Sequence, residues 1–200
     1  MGFDLYGLNP DNPNNAMKPK QLDWSKKHTD KEETIYFNAL DDYETEIVGS
    51  YFRANVWYWR PIWSFVCGAC CNILTDKDME GGSFNNGHKI SKTKSKRIAA
   101  KLRKLDKSGI IQNWEDEMMI HYNKANKHNK KIQIALDVIS KACKKEHGED
   151  LAPANYPEPY KTNWNETYEK KDWGSSYPPS RDYIMEFTMF CDASGGFEIC

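Results

Sequence analysis

Arg53, Trp57, Trp59 and Arg60 crowd into one run, YFRANVWYWRPIW, with Asn55 between them. Flat aromatic faces beside guanidinium groups suit a nucleobase or another flat anion, which they hold by stacking and charge-assisted hydrogen bonds. A second run, NNGHKIS, follows some thirty residues later. There Gly87 permits a tight turn, Asn86, His88 and Lys89 add polar groups, and Ser91 opens a helix whose first N–H groups attract anions. An ordinary capped loop explains the same letters. The candidate ligand-binding residues are therefore Arg53, Asn55, Trp57, Trp59, Arg60, Asn86, His88 and Lys89. No catalytic motif accompanies them, and Asp4, His88 and Glu198 are acid–base candidates only if the protein is an enzyme.

Cysteine gives less. Cys67, Cys70 and Cys71 form CGACC, but a structural zinc site takes four ligands and no second Cys or His pair completes one. Inside an apolar helix such cysteines read as small core residues, so neither a metal nor a cofactor is assigned.

The formal net charge of −1 hides a division. Lys89 to Lys107 holds seven Lys and two Arg against one acid, net +8, and His121 to His147 holds seven Lys against two acids, net +5. Glu115, Asp116 and Glu117 separate them, so residues 89–147 carry about +10 and the rest about −11. A basic face of that size is the feature a nucleic-acid or protein partner would use, although no helix-turn-helix, zinc finger or aromatic sheet motif accompanies it.

Elements must position these residues. With 39% hydrophobic and 13% aromatic residues, the 200-residue chain suffices for a single domain, 1–200, read as mostly α (α+β): a helical bundle with a small β element from the N-terminal region. GFDLYG alternates as a strand, and residues 11–48 form an expected insertion in which TIYFNAL and TEIVGSYF suggest a hairpin. Alternation continues from Tyr51 to Trp57, and Pro61 suits the first turn of a helix carrying Trp63 inward. Thr75, Ser91 and Ser180 are expected N-caps. A helix from Ser91 to about Lys107 is followed by one or two from Ile110 to about His147, with a joint at Asn126 to Asn129. Residues 151–179, rich in Pro and aromatics, read as an ordered loop, and Tyr183, Ile184, Phe187 and Phe190 mark a last helix before SGGFEIC. A mean hydropathy of −0.82 and the lack of a long apolar run predict no membrane span, and with no basic, apolar leader the expected setting is cytoplasmic.

Together MGFDLYG, YFRANVWYWRPIW, NNGHKIS and FCDASGGFEIC resemble a family of small uncharacterised bacteriophage and prophage proteins. Residues 11–48 exceed that family's usual run between these motifs, so a role for them is private to this chain. The family carries no settled activity; the resemblance implies an infected host cell as the setting. One class of small phage proteins captures nucleotide-derived immune signals without cleaving them, which requires aromatic faces, cations and backbone donors but no general base. The leading expectation is accordingly sequestration of a small nucleotide-like anion without catalysis. The alternatives are a protein or nucleic-acid interaction module using the 89–147 face, and a nucleotide-processing enzyme; a homo-oligomer is compatible with each.

Overall fold

The computed structural model describes residues 2–175, 178 and 180–200. Met1, the first residue of the MGFDLYG motif, and Ser176, Tyr177 and Pro179, within the expected 151–179 loop, lie outside the described residues. The fold is mostly α with one small antiparallel sheet, and the chain divides into two compact units, Met1–Gln112 with Ser180–Cys200, and Asn113–Pro179.

The first unit is built on four strands: β1 (Gly2–Gly7), β2 (Tyr51–Asn55), β3 (His88–Ser91) and β4 (Gly196–Ile199), in the order β2-β1-β4-β3. Period-two alternation gives the sheet two faces. Phe3, Leu5, Phe52, Ala54, Ile90, Phe197 and Ile199 are buried on the inner one. Helices α2 (Val56–Ala69), α4 (Lys92–Lys107) and α7 (Arg181–Ala193) supply Trp59, Trp63, Ile98, Leu102, Ile184, Phe187 and Phe190 to the same core. Ser91 and Ser180 cap α4 and α7 as expected, and Arg181 joins the two helices by paired bonds to Asp106, 2.6 Å from Nε and 2.9 Å from Nη2.

The SGG turn joins distant parts of the chain. Leu8, Asn9 and Asp11 donate backbone N–H bonds to the carbonyls of Gly196, Ser194 and Ala193 at 2.7–3.0 Å. Gly195 has φ +65°, and a methyl group there would sit 2.0 Å from the Asn9 carbonyl oxygen. The close backbone approach that these glycines permit is to the chain itself.

Three expectations are corrected. Residues 30–46 form a helix, α1 (Asp30–Glu46), and not a hairpin. Thr29 and Glu32 make a reciprocal capping box with acids in the first turn, and this local start outweighs the strand preference of TIYFNAL. Ile35 and Phe37, whose alternation suggested a strand, are more than half exposed. Helix α2 begins at Val56, five residues before Pro61, because the Asn55 side chain accepts the N–H bonds of Trp57 and Tyr58 at 3.0 Å. The helix from Ile110 runs unbroken to His147 as α5, with no joint at 126–129.

The second unit takes α5 from Asn113 onward and a returning segment with α6 (Tyr160–Tyr168). Ala125, Leu136, Cys143 and Tyr156 are buried among its described residues, Trp164 stacks on Tyr168 at 4.8 Å, and Asn129 exchanges bonds with the Asp172 backbone at 2.7 and 2.8 Å.

Candidate functional site

The eight residues expected to bind a ligand do not converge. Arg53 on β2 and Lys89 on β3 stand at opposite edges of the sheet, three strand spacings or about 14 Å apart. Asn55 is spent as the α2 cap. Trp59, expected as a stacking surface, is fully buried: Trp63 stacks on it at 5.2 Å, Phe3 and Phe187 flank it, and its Nε1 donates to the Gly82 carbonyl at 2.7 Å. Only at the start of α2 is an aromatic of that run exposed, Trp57 at 42%. Asn86 lies exposed in the loop before β3.

His88 and Lys89 are also engaged. His88 shares the inner side of β3 with Ile90, and its Nε2 donates to Asp78 Oδ1 at 3.1 Å. Asp78 belongs to α3 (Asp76–Gly81), where it completes a capping box with Thr75 and also receives Lys94 Nζ. Burial opposes its charge, but the hydrogen bonds from Lys94, Thr75 and His88 prevail and hold the carboxyl well below the usual range. The His88 ring is fixed from the other side by Gly81, where a methyl group would come within 2.3 Å of it. This clasp joins α3, β3 and α4. Lys89 pairs with Glu198, its register partner on β4, at 3.4 Å.

The outer face of the sheet carries the arrangement that sequence reasoning missed. Asp4 and Tyr6 on β1 stand opposite Arg53 and Tyr51 on β2. Helix α1 lies over them, with Tyr36, Leu40, Tyr43 and Glu44 on its partly covered side. The two enclose a cleft of about 720 Å³, whose walls include Lys18, Tyr36, Phe37, Glu44, Tyr51 and Arg53. The Tyr6 and Tyr51 rings lie 5.3 Å apart, and Trp24 stacks on Phe37 at 6.0 Å to steady the outer wall.

Charge is distributed unevenly there. Tyr51 Oη donates to Asp4 Oδ1, and the Arg53 guanidinium reaches the same oxygen only at 3.9 Å, leaving that side chain 75% exposed. Burial, the bond to Asp4 and its charge push the Tyr51 hydroxyl up, so it stays protonated as a donor. Glu44 is also raised, first by burial and then by Asp41 and Asp4, against the opposing pull of Lys18. The cleft thus offers aromatic surface, the cations Lys18 and Arg53 and the carboxylates Asp41 and Glu44, a set that can bind and orient a small polar molecule. The signal was present as the alternation that separates Asp4 and Tyr6 from Phe3 and Leu5. The helical lid over it was concealed by the strand-like letters of TIYFNAL.

Among the described residues, no three His, Cys, Asp or Glu side chains gather in a way that could hold a metal ion, and no helix is long and apolar enough to cross a membrane. No family model, curated protein or solved structure matches the chain.

Proposed function

We propose that the protein binds a small nucleotide-like anion, without turning it over, in the cleft between α1 and the outer face of the sheet. The observation that carries this reading is the exposed Arg53 guanidinium in a 720 Å³ cleft walled by tyrosines and Phe37. Its size lies within the range of small-molecule sites. Arg53 and Lys18 would meet the anionic group, the aromatic rings the flat body, and Glu44 a hydrogen-bond donor on that body. Resemblance to small phage proteins supports a setting in infection, where sequestering a host antiviral signal requires binding and no chemistry.

The basic face gives the rival reading less support. In α4, Lys94 is tied to Asp78, Lys96 to Asp11 and Asp192, and Arg103 to Asp192, so part of that helix's charge is used within the fold.

The reading is tested by calorimetric titration with nucleoside phosphates and cyclic dinucleotides, beside mass spectrometry of small molecules released on denaturing protein from infected cells. Arg53→Gln and Lys18→Gln are each expected to weaken nucleotide binding tenfold or more while Arg103→Gln does not. Unchanged nucleotide affinity in both cleft variants would overturn the assignment.

A further inference from the structure

A second, smaller cavity of about 300 Å³ lies between α2 and α3, and it shares no lining residue with the outer-face cleft. Trp63, Cys67 and Met79 make its walls, and Trp59 closes it from beneath. Both indole N–H groups are already satisfied, Trp59 by the Gly82 carbonyl at 2.7 Å and Trp63 by the Met79 carbonyl at 2.9 Å. Gly82 lets the Trp63 ring lie flat against α3, since a methyl group there would come within 2.1 Å of it. Burial pushes the Cys67 thiol up to about 11, so this wall is a neutral thiol. The interior therefore presents the Met79 thioether and the Cys67 thiol, with a small uncovered part of the Trp63 indole, to an apolar body.

The rim differs. Arg60 lies exposed there, and among the described residues its guanidinium forms no ion pair. The Ser64 and Ser83 hydroxyls are at the same mouth. One planar cation over an apolar chamber is complementary to a monoanion whose charge is planar and whose remainder is apolar. We infer that this cavity binds a small amphipathic carboxylate, its chain or ring lodged against Trp63 and Met79 and its carboxylate bonded to Arg60. The inference does not rest on the nucleotide reading, and either site can fail without the other.

The test uses the full chain and octanoate, with octanol as the neutral probe of the same length. In two-dimensional ¹⁵N–¹H spectra the Trp63 and Trp59 indole signals are expected to shift and saturate with octanoate. Octanol is expected to need at least tenfold higher concentration, and Arg60→Gln to weaken octanoate binding at least tenfold with the remaining spectrum unchanged. Arg60 is exposed, so the substitution leaves the core intact. No saturable shift of these two signals in the unaltered protein overturns the inference. So does octanoate binding undiminished in Arg60→Gln.

Discussion

Gly49 lies so close to Ala193 that a methyl group added to it would sit 2.3 Å from the Ala193 carbonyl carbon and oxygen. Both contacts are backbone atoms, which cannot rotate away as a side chain would. Gly49→Ala is therefore expected to destabilise the protein by about 2–3 kcal/mol, as overpacking does. Gly68, near the end of α2, has nothing within 4 Å of such a methyl group. Gly68→Ala is expected to stabilise by about 0.5 kcal/mol through helix propensity. Urea denaturation of the two variants reads the opposite signs.

Trp59 is a core residue with a hydrogen-bonding duty. Trp59→Phe keeps an aromatic ring but leaves the Gly82 carbonyl without its donor, at an expected cost of about 1–3 kcal/mol. Trp59→Ala is expected to cost about 3–5 kcal/mol through the cavity it opens. Equilibrium unfolding measures both, and neither variant is expected to change nucleotide binding by the protein that remains folded.

The Asp78 clasp makes stability depend on pH. Its carboxyl is held below the ordinary range in the folded protein, so the unfolded chain takes up the proton first as pH falls. The stabilisation is fully present above the ordinary carboxylate pKa, about 4, and is lost progressively below it, through the lower folded value. Asp78→Asn cannot titrate. It is expected to lose about 3 kcal/mol at pH 7, since Lys94 and His88 lose their charged partner. It should then lose less further stability than the unaltered protein between pH 5 and pH 3, measured by denaturant midpoints.

Lys96 and Arg103 both reach Asp192, at 3.3 and 2.6 Å, on partly exposed side chains. Arg103→Gln is expected to cost no more than about 1 kcal/mol, and to shrink that cost in 1 M salt. Thermal unfolding at two salt concentrations checks it.

Much of the fold is written locally. The serine caps of α4 and α7, the Thr75 and Asp78 pair, the buried stripe of Ile98 and Leu102 and the inward row of Ile184, Phe187 and Phe190 follow from spacing alone. Misreadings arose where two local signals compete. Asn55 can prolong an extended run or cap a helix, and capping moved the helix start ahead of Pro61 and turned Trp59 inward. Thr29 and Glu32 similarly decided against the strand pattern that follows them. The binding cleft was less legible, because Arg53, Tyr6 and Glu44 come from three separate elements and only the sheet order with its helical cover brings them together. Aromatic density in the sequence marked where the core is, and the cleft is on the other side of the sheet.

The order of the strands also governs how the molecule is made. As the ribosome synthesises the chain, β1 appears first and can pair with β2 on one side once Tyr51–Asn55 has emerged, while its other edge waits for β4, at Gly196–Ile199. Until then the nascent protein carries an open strand edge and an uncovered Leu5, a state prone to join another chain. The sheet can close only once the whole of β4, Gly196–Ile199, is free to pair, so a chain interrupted before it is expected to leave the inner edge of β1 open and β3 without a partner.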